Sequence, residues 1–163
     1  MNVRKMSLLT LFIALSVIGA SIKIPAIIGS VALDVFPALL AAAFFGAGAG
    51  AMVGALGHLL SALIGGMPLG ALHIIIALEM ALLVSLFAVL YRKGKKHLAC
   101  ILFLLGNAFI APIPFIFLFD IAFYIALLPS LFLGSLLNTI IAYVAIPRLS
   151  AFQGYYFKGE MHG

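Results

Sequence analysis

Five ionisable side chains interrupt the apolar stretches of this chain: Asp34, His58, His73, Glu79 and Asp120. Asn107 and Asn138 are their neutral polar company, and Lys23 stands alone between two apolar segments. Carboxylates and imidazoles in such surroundings could exchange hydrogen bonds with the polar atoms of a small molecule, or pass a proton along. Other chemistry is excluded by spacing. His58 has Ser61 and Ala62 at helical neighbour positions, and His73 has Ile76 and Ala77, so neither forms a local metal pair. His73 and Glu79 are six residues apart, about 120° around a helix, and do not share a face. Cys100 is the only cysteine, which rules out a disulfide framework and a cysteine metal cluster. There is no glycine-rich phosphate loop, no His-Glu-x-x-His and no Gly-x-Ser-x-Gly. The chain is expected to be no enzyme and to use no cofactor or metal.

Most of what positions these groups is apolar. Hydrophobic residues make up 66% of the 163 residues and charged residues only 8%, with a mean hydropathy of +1.35. Soluble proteins carry roughly 25% charged residues, so this composition is that of an integral membrane protein. Eight of the nine Lys and Arg residues fall in three places: Arg4-Lys5, the run from Arg92 to Lys96, and the tail with Arg148 and Lys158. Cationic loops resist transfer across a membrane, so the net charge of +5 reads as a topology signal and not as a nucleic-acid footprint.

A spanning helix needs roughly 20 apolar residues. Segments 6–22, 72–91, 98–119 and 121–146 each supply one. The run from Val35 to Ile64 holds no Asp, other than the preceding Asp34, and no Glu, Lys or Arg. As one straight helix it would extend about 45 Å, too long for a single crossing without strong tilt. Read as one span, it would also send Arg92 to Lys96 outside. Read as two, near 35–46 and 48–64 and turning at Gly46, Gly48 and Gly50, it puts every basic cluster inside. The expectation is an all-α integral membrane protein: one transmembrane domain over 1–163, six helices, both termini cytoplasmic. Arg4-Lys5 followed by Leu8 to Ile18 and Gly19-Ala20-Ser21 resembles a signal peptide, but this topology needs the segment retained. Pro37 falls in the first turn of the second helix, where its missing N–H costs nothing.

In that topology Lys23 to Leu33 is an external loop, and Asp34, His58, His73, Glu79 and Asp120 lie toward the outer half, over an apolar inner half. A polar cluster that opens outward has the form of a binding pocket, with Asn107 at its floor and Tyr124 on the face of Asp120. Each member also has a plainer reading. Asp34 and Asp120 could cap helices two and six, Lys23 could snorkel to the interface, and each histidine could make one interhelical hydrogen bond. Asn138 reads as bundle glue near the inner end. Small residues recur at four-residue spacing: Gly46, Gly50 and Gly54; Ala47, Ala51 and Ala55; Ser16 and Ala20; Ala38 and Ala42. Such faces permit close helix approach, either within the bundle or against another membrane subunit.

The stretch Phe36-Pro37-Ala38-Leu39-Leu40, the glycine turn, and Gly54-Ala55-Leu56-Gly57-His58-Leu59-Leu60-Ser61-Ala62-Leu63-Ile64-Gly65-Gly66-Met67-Pro68 resembles the substrate-binding S components of energy-coupling factor (ECF) transporters. The likeness extends over nearly the whole chain. It implies a subunit that captures a vitamin or precursor with high affinity and docks through small-residue faces on a transmembrane coupling subunit driven by two ATPase subunits. It also implies a lid at Lys23 to Leu33, and a docking face with Ala47-x-x-x-Ala51, extended by Ala55. Helix one departs from the family pattern and offers Ser16-x-x-x-Ala20. The run Pro68-Leu69-Gly70-Ala71-Leu72-His73 and Ala77-Leu78-Glu79-Met80 looks most like members assigned to α-ribazole, a cobalamin precursor. Two other functions remain open: an assembly or structural membrane subunit without a ligand, and a proton-coupled carrier using Glu79 and Asp120.

Overall fold

The computed structural model describes residues 3–25 and 30–157, with side chains described at 3, 6–22 and 32–150. The fold is helical: α1 (Val3–Ser21), α2 (Phe36–Phe45), α3 (Ala47–Ile64), α4 (His73–Arg92), α5 (Lys96–Leu105), α6 (Pro114–Leu118) and α7 (Ile121–Phe157). Among the described residues, four helical stretches are long and apolar enough to cross a membrane: Ala47–Ile64, Gly70–Arg92, Lys96–Leu118 and Ile121–Ser150. Met6–Ser21 and Phe36–Phe45 are shorter apolar helices. Where the sequence suggests only a loop after α1, strand β1 (Lys23–Pro25) pairs antiparallel with β2 (Ser30–Ala32) in a short ribbon. Two ends can be distinguished: a basic end, holding Arg92–Lys96 and Arg148, and a ribbon end, holding the ribbon and the α3–α4 turn.

At the centre lies α2. Pro37 to Ala42 are all buried, with Ala38, Leu39, Ala41 and Ala42 fully so. A helix apolar on every side is one that protein surrounds, and alanines let its neighbours approach closely. With ten residues, α2 extends about 15 Å, half of a hydrocarbon core. It therefore starts inside the bundle, where its first N–H groups have no water to meet. Asn138 of α7 meets them. Its Oδ1 accepts from the Val35 and Phe36 N–H groups at 3.1 and 2.8 Å, and its Nδ2 donates to the Ala32 and Gly134 carbonyls at 2.9 Å each. Asn138 thus ties α7 to the β2–α2 junction, as bundle glue would.

A single residue reverses the chain from α2 into α3. Gly46 sits at φ 93°, a conformation side chains disfavour, and a Cβ there would come within 2.6 Å of the Arg92 guanidinium. Along α3, Gly50, Gly54 and Gly57 are consumed by internal packing, whereas Gly48 is exposed. A Cβ on Gly50 would meet Ala42 at 2.6 Å, one on Gly54 would meet Val84 at 3.2 Å, and one on Gly57 would meet Ser16 at 2.8 Å.

The expected fifth helix is interrupted. α5 ends at Leu105, residues 106–110 form a π turn closed by Ala111 N–H to Gly106 O at 2.8 Å, and α6 resumes at Pro114. Pro112 and Pro114 lack the N–H groups an α-helix would need here, so the carbonyls upstream find other donors. The last helix is longer than the sequence suggests, 37 residues, and runs through Pro129 and Pro147.

Candidate functional site

The α3–α4 turn brings two histidines together. Gly66 (φ 84°), Met67 (φ 51°) and Gly70 (φ 55°) reverse the chain, and the Met67 N–H caps α3 by donating to Ala62 O at 2.8 Å. His58 then lies beside His73, the first residue of α4, with Nε2 of His58 3.1 Å from Nδ1 of His73. The Leu69 N–H donates to Nε2 of His73 at 3.4 Å, which makes that nitrogen an acceptor. In a neutral imidazole the other nitrogen carries the proton. Nδ1–H of His73 therefore donates to Nε2 of His58, and the Nδ1–H of His58 is left to donate elsewhere. Two apparently equivalent rings become a directional relay.

Asp34 joins this pair from the β2–α2 loop. Its carboxyl is hydrogen-bonded to the side chain of Ser61, one turn beyond His58 on the same face of α3. Burial pushes the Asp34 carboxyl up from its ordinary range, and the Ser61 bond draws it partly back. The loop itself is held against α1, where the Leu33 N–H donates to Gly19 O at 3.1 Å. A Cβ on Gly19 would overlap the Leu33 carbonyl, so α1 needs glycine here.

A second polar group surrounds the π turn. Asn107 Nδ2 donates to Ser135 Oγ at 2.7 Å, and Tyr124 OH donates to the Phe109 carbonyl at 3.1 Å. That carbonyl would accept from Ile113 in an α-helix, but the Ile113 N–H turns to Ile110 O instead. Glu79 lies four residues before Leu83, whose side chain packs where a Cβ of Gly106 would stand. Residues four apart share a helix face, so Glu79 sits on the side of α4 that faces the π turn. Its Oε2 is buried with no hydrogen-bond partner among the described residues. A buried carboxylate oxygen without a donor is costly and is the most conspicuous acceptor in the bundle.

The sequence-predicted residues thus divide. Asp34, His58 and His73 gather with Ser61 at the ribbon end. Glu79, Asn107 and Tyr124 lie around the π turn with Ser135. Asp120 joins neither: it is exposed and caps α7, accepting from Phe123 N–H at 2.7 Å. Lys23 belongs to β1, and its side chain lies outside the described residues, as does part of the expected lid. On the expected docking faces, Ser16 (0% exposed) and Ala20 (4%) are turned into the bundle, Ser16 against Gly57, and present no surface to a partner. Ala47, Ala51 and Ala55 are half-buried, flanking an exposed strip with Gly48, Met52 and Leu56. On α1 the described exposed small residues are Ser7, Thr10, Ala14 and Ser21.

Ser61 had a visible signal, three residues from His58 on one helical face. Ser135 had none, because only the π turn brings Asn107 to it. Among the described residues no three His, Cys, Asp or Glu side chains are grouped to hold a metal ion. The arrangement can orient a small molecule: imidazole N–H, hydroxyl and amide groups supply directional contacts, and Glu79 supplies an acceptor that favours a hydroxyl or a cationic N–H.

A family model described as "ECF transporter, substrate-specific component" matches residues 4–158. No curated protein and no solved structure matches the chain.

Proposed function

We infer that this chain, which belongs to the family of ECF transporter substrate-specific components, is the high-affinity capture subunit of a vitamin importer, a multi-pass protein of the cell membrane. Members of the family are membrane-embedded transporter subunits, not enzymes, and associate with an ECF module. The observation that carries the capture reading is the buried, unpartnered Glu79 oxygen, on the face of α4 that Leu83 turns toward the π turn. A binding subunit keeps such an acceptor because the ligand completes it, whereas a purely structural subunit has no use for its cost.

The topology proposed with it has six membrane-embedded helical segments, α1, α2, α3, α4, the α5–α6 unit and α7, with both termini cytoplasmic. The basic end is then cytoplasmic, in accord with the charge bias of its loops. The ribbon end faces outward, so that the ribbon and the β2–α2 loop cover the Asp34–His58–His73 group and act as a lid. Ala47, Ala51 and Ala55, with the exposed strip beside them, form the docking face for a transmembrane coupling subunit powered by two ATPase subunits. Small residues there allow the close approach that association in lipid requires.

For the ligand we propose α-ribazole or a related precursor. Its ribose hydroxyls would donate to Glu79 and exchange hydrogen bonds with the imidazole relay, and its flat base would lie on the apolar walls. Calorimetric titration of the purified protein with α-ribazole, pantothenate, thiamin, riboflavin and folate tests this. Binding of another vitamin but not α-ribazole replaces the ligand; binding of none of the five removes both the ligand and its main support. The proton-carrier alternative loses one of its two carboxylates, because Asp120 is an exposed helix cap.

A further inference from the structure

Toward the basic end, α5 and α7 border an open groove of about 260 Å³ lined by His97, Cys100, Ile101, Thr139, Ile140 and Tyr143. On the other side of Ile140 a second groove, of about 440 Å³, runs along α7 past Val144 and Ala145 to Arg148. Ile140 is the ridge between them. The walls are apolar apart from a few polar groups. One of these is the Thr139 hydroxyl, 6% exposed and without a hydrogen-bond partner among the described residues. The His97 and Tyr143 rings, 5.6 Å apart, tie the start of α5 to α7 at this level.

Among the described residues the charge at this end is of one sign. Arg92, Lys93, Lys95, Lys96 and Arg148 are exposed, and no ion pair occupies any of them among the described residues. None of the described acids is at this end: Asp34 and Glu79 belong to the polar groups described above, and Asp120 caps the start of α7. Lys96 leans its ammonium over the Tyr91 ring at 5.7 Å, and Arg148 lies at the mouth of the larger groove. Two open apolar grooves along α7, the larger ending at Arg148 and both at the basic end, match the shape and charge of a single class of occupant. A two-chain lipid would lay an acyl chain in each groove and bring a phosphate to the cations.

We propose that this face seats an anionic glycerophospholipid of the leaflet that borders Arg92 to Lys96. Its two acyl chains straddle Ile140 and its phosphate is held by Arg148. The seat is separate from the ligand site and does not depend on its assignment.

Native mass spectrometry of the full chain, purified from nanodiscs of equimolar phosphatidylglycerol and phosphatidylcholine, reads it directly. The retained lipid should favour phosphatidylglycerol, and Arg148→Gln should lower that preference about fivefold, the effect of one basic contact near a membrane surface. Lys93→Gln, at an exposed position beyond both grooves, should lower it less. Ala145→Phe, which fills the larger groove, should lower retention of phosphatidylglycerol while leaving Arg148 in place. Retention at the supplied ratio would overturn the proposal and leave the grooves to bulk lipid or a protein partner. Equal losses from Arg148→Gln and Lys93→Gln would also overturn it, since a diffuse positive field would then suffice.

Discussion

Replacing Asn138 with alanine should destabilise the protein more than any other single truncation of a polar side chain in α7. Four hydrogen bonds would be lost, to the Val35 and Phe36 N–H groups and the Ala32 and Gly134 carbonyls. Interhelical hydrogen bonds in membrane proteins average about 0.6 kcal/mol, which sets a floor of about 1.8 kcal/mol for the three that leave α7. Gly134 lies in α7 itself and has its own helical partner in reach, but the other three backbone groups would be orphaned inside the bundle. At about 1–3 kcal/mol each, they place the ceiling at about 9 kcal/mol. For a chain of this size each kcal/mol moves the midpoint by about 2–4 °C, so the expected fall in Tm is at least about 4 °C. The internal control is the next residue. Thr139 is equally buried, but its hydroxyl has no hydrogen-bond partner among the described residues. Thr139→Val should leave the midpoint unchanged or raise it. Thermal unfolding in one detergent, followed by intrinsic fluorescence, compares the two variants. A midpoint for Asn138→Ala equal to that of Thr139→Val would refute the claim that α2 depends on a cap from α7.

Three further outcomes are expected. Glu79→Gln should weaken ligand binding about 10- to 100-fold, the loss of one charge-assisted hydrogen bond, and titration calorimetry on the folded variant measures it. Asp34 has its carboxyl raised above the ordinary 3.8 by burial, so the folded state binds its proton more tightly than the unfolded state. Its contribution is then fully present below about pH 3.8 and is lost as pH rises through the folded value. Asp34→Asn should flatten that slope in Tm against pH, and an unchanged slope would assign it to another group. Finally, a cysteine at Lys95 in a Cys100→Ala background should react with an impermeant maleimide only in inside-out vesicles, whereas labelling on intact cells would invert the proposed topology.

How much of this was legible in the sequence depends on distance along the chain. The apolar helices followed from apolar length, and a reversal near Gly46 from charge parity, because both are local or additive quantities. The pairing of His58 with His73 was partly visible, since both border a Gly-Gly-Met-Pro turn that must fold α3 onto α4. The partners of Asn138 were not legible because they lie more than 100 residues away, at the β2–α2 junction, and leave no compositional mark. Ser16 and Ala20 were assigned to a partner because small-residue spacing identifies a close approach but not which helix makes it. Gly57 takes that place. The fifth helix was expected to run unbroken over 98–119 although Pro112 and Pro114 stand in it, and the π turn also depends on Tyr124 donating to the Phe109 carbonyl and on Ser135 accepting from Asn107.

The length of α7 has a mechanical consequence. Its 37 residues would measure about 55 Å end to end, against a hydrocarbon thickness of about 30 Å. Even at 40°, the upper limit of ordinary helix tilts, the rod would use only about 40 Å of that length in crossing. The remainder must overhang the bilayer, so any rocking of the bundle is levered into a wider sweep at the free end.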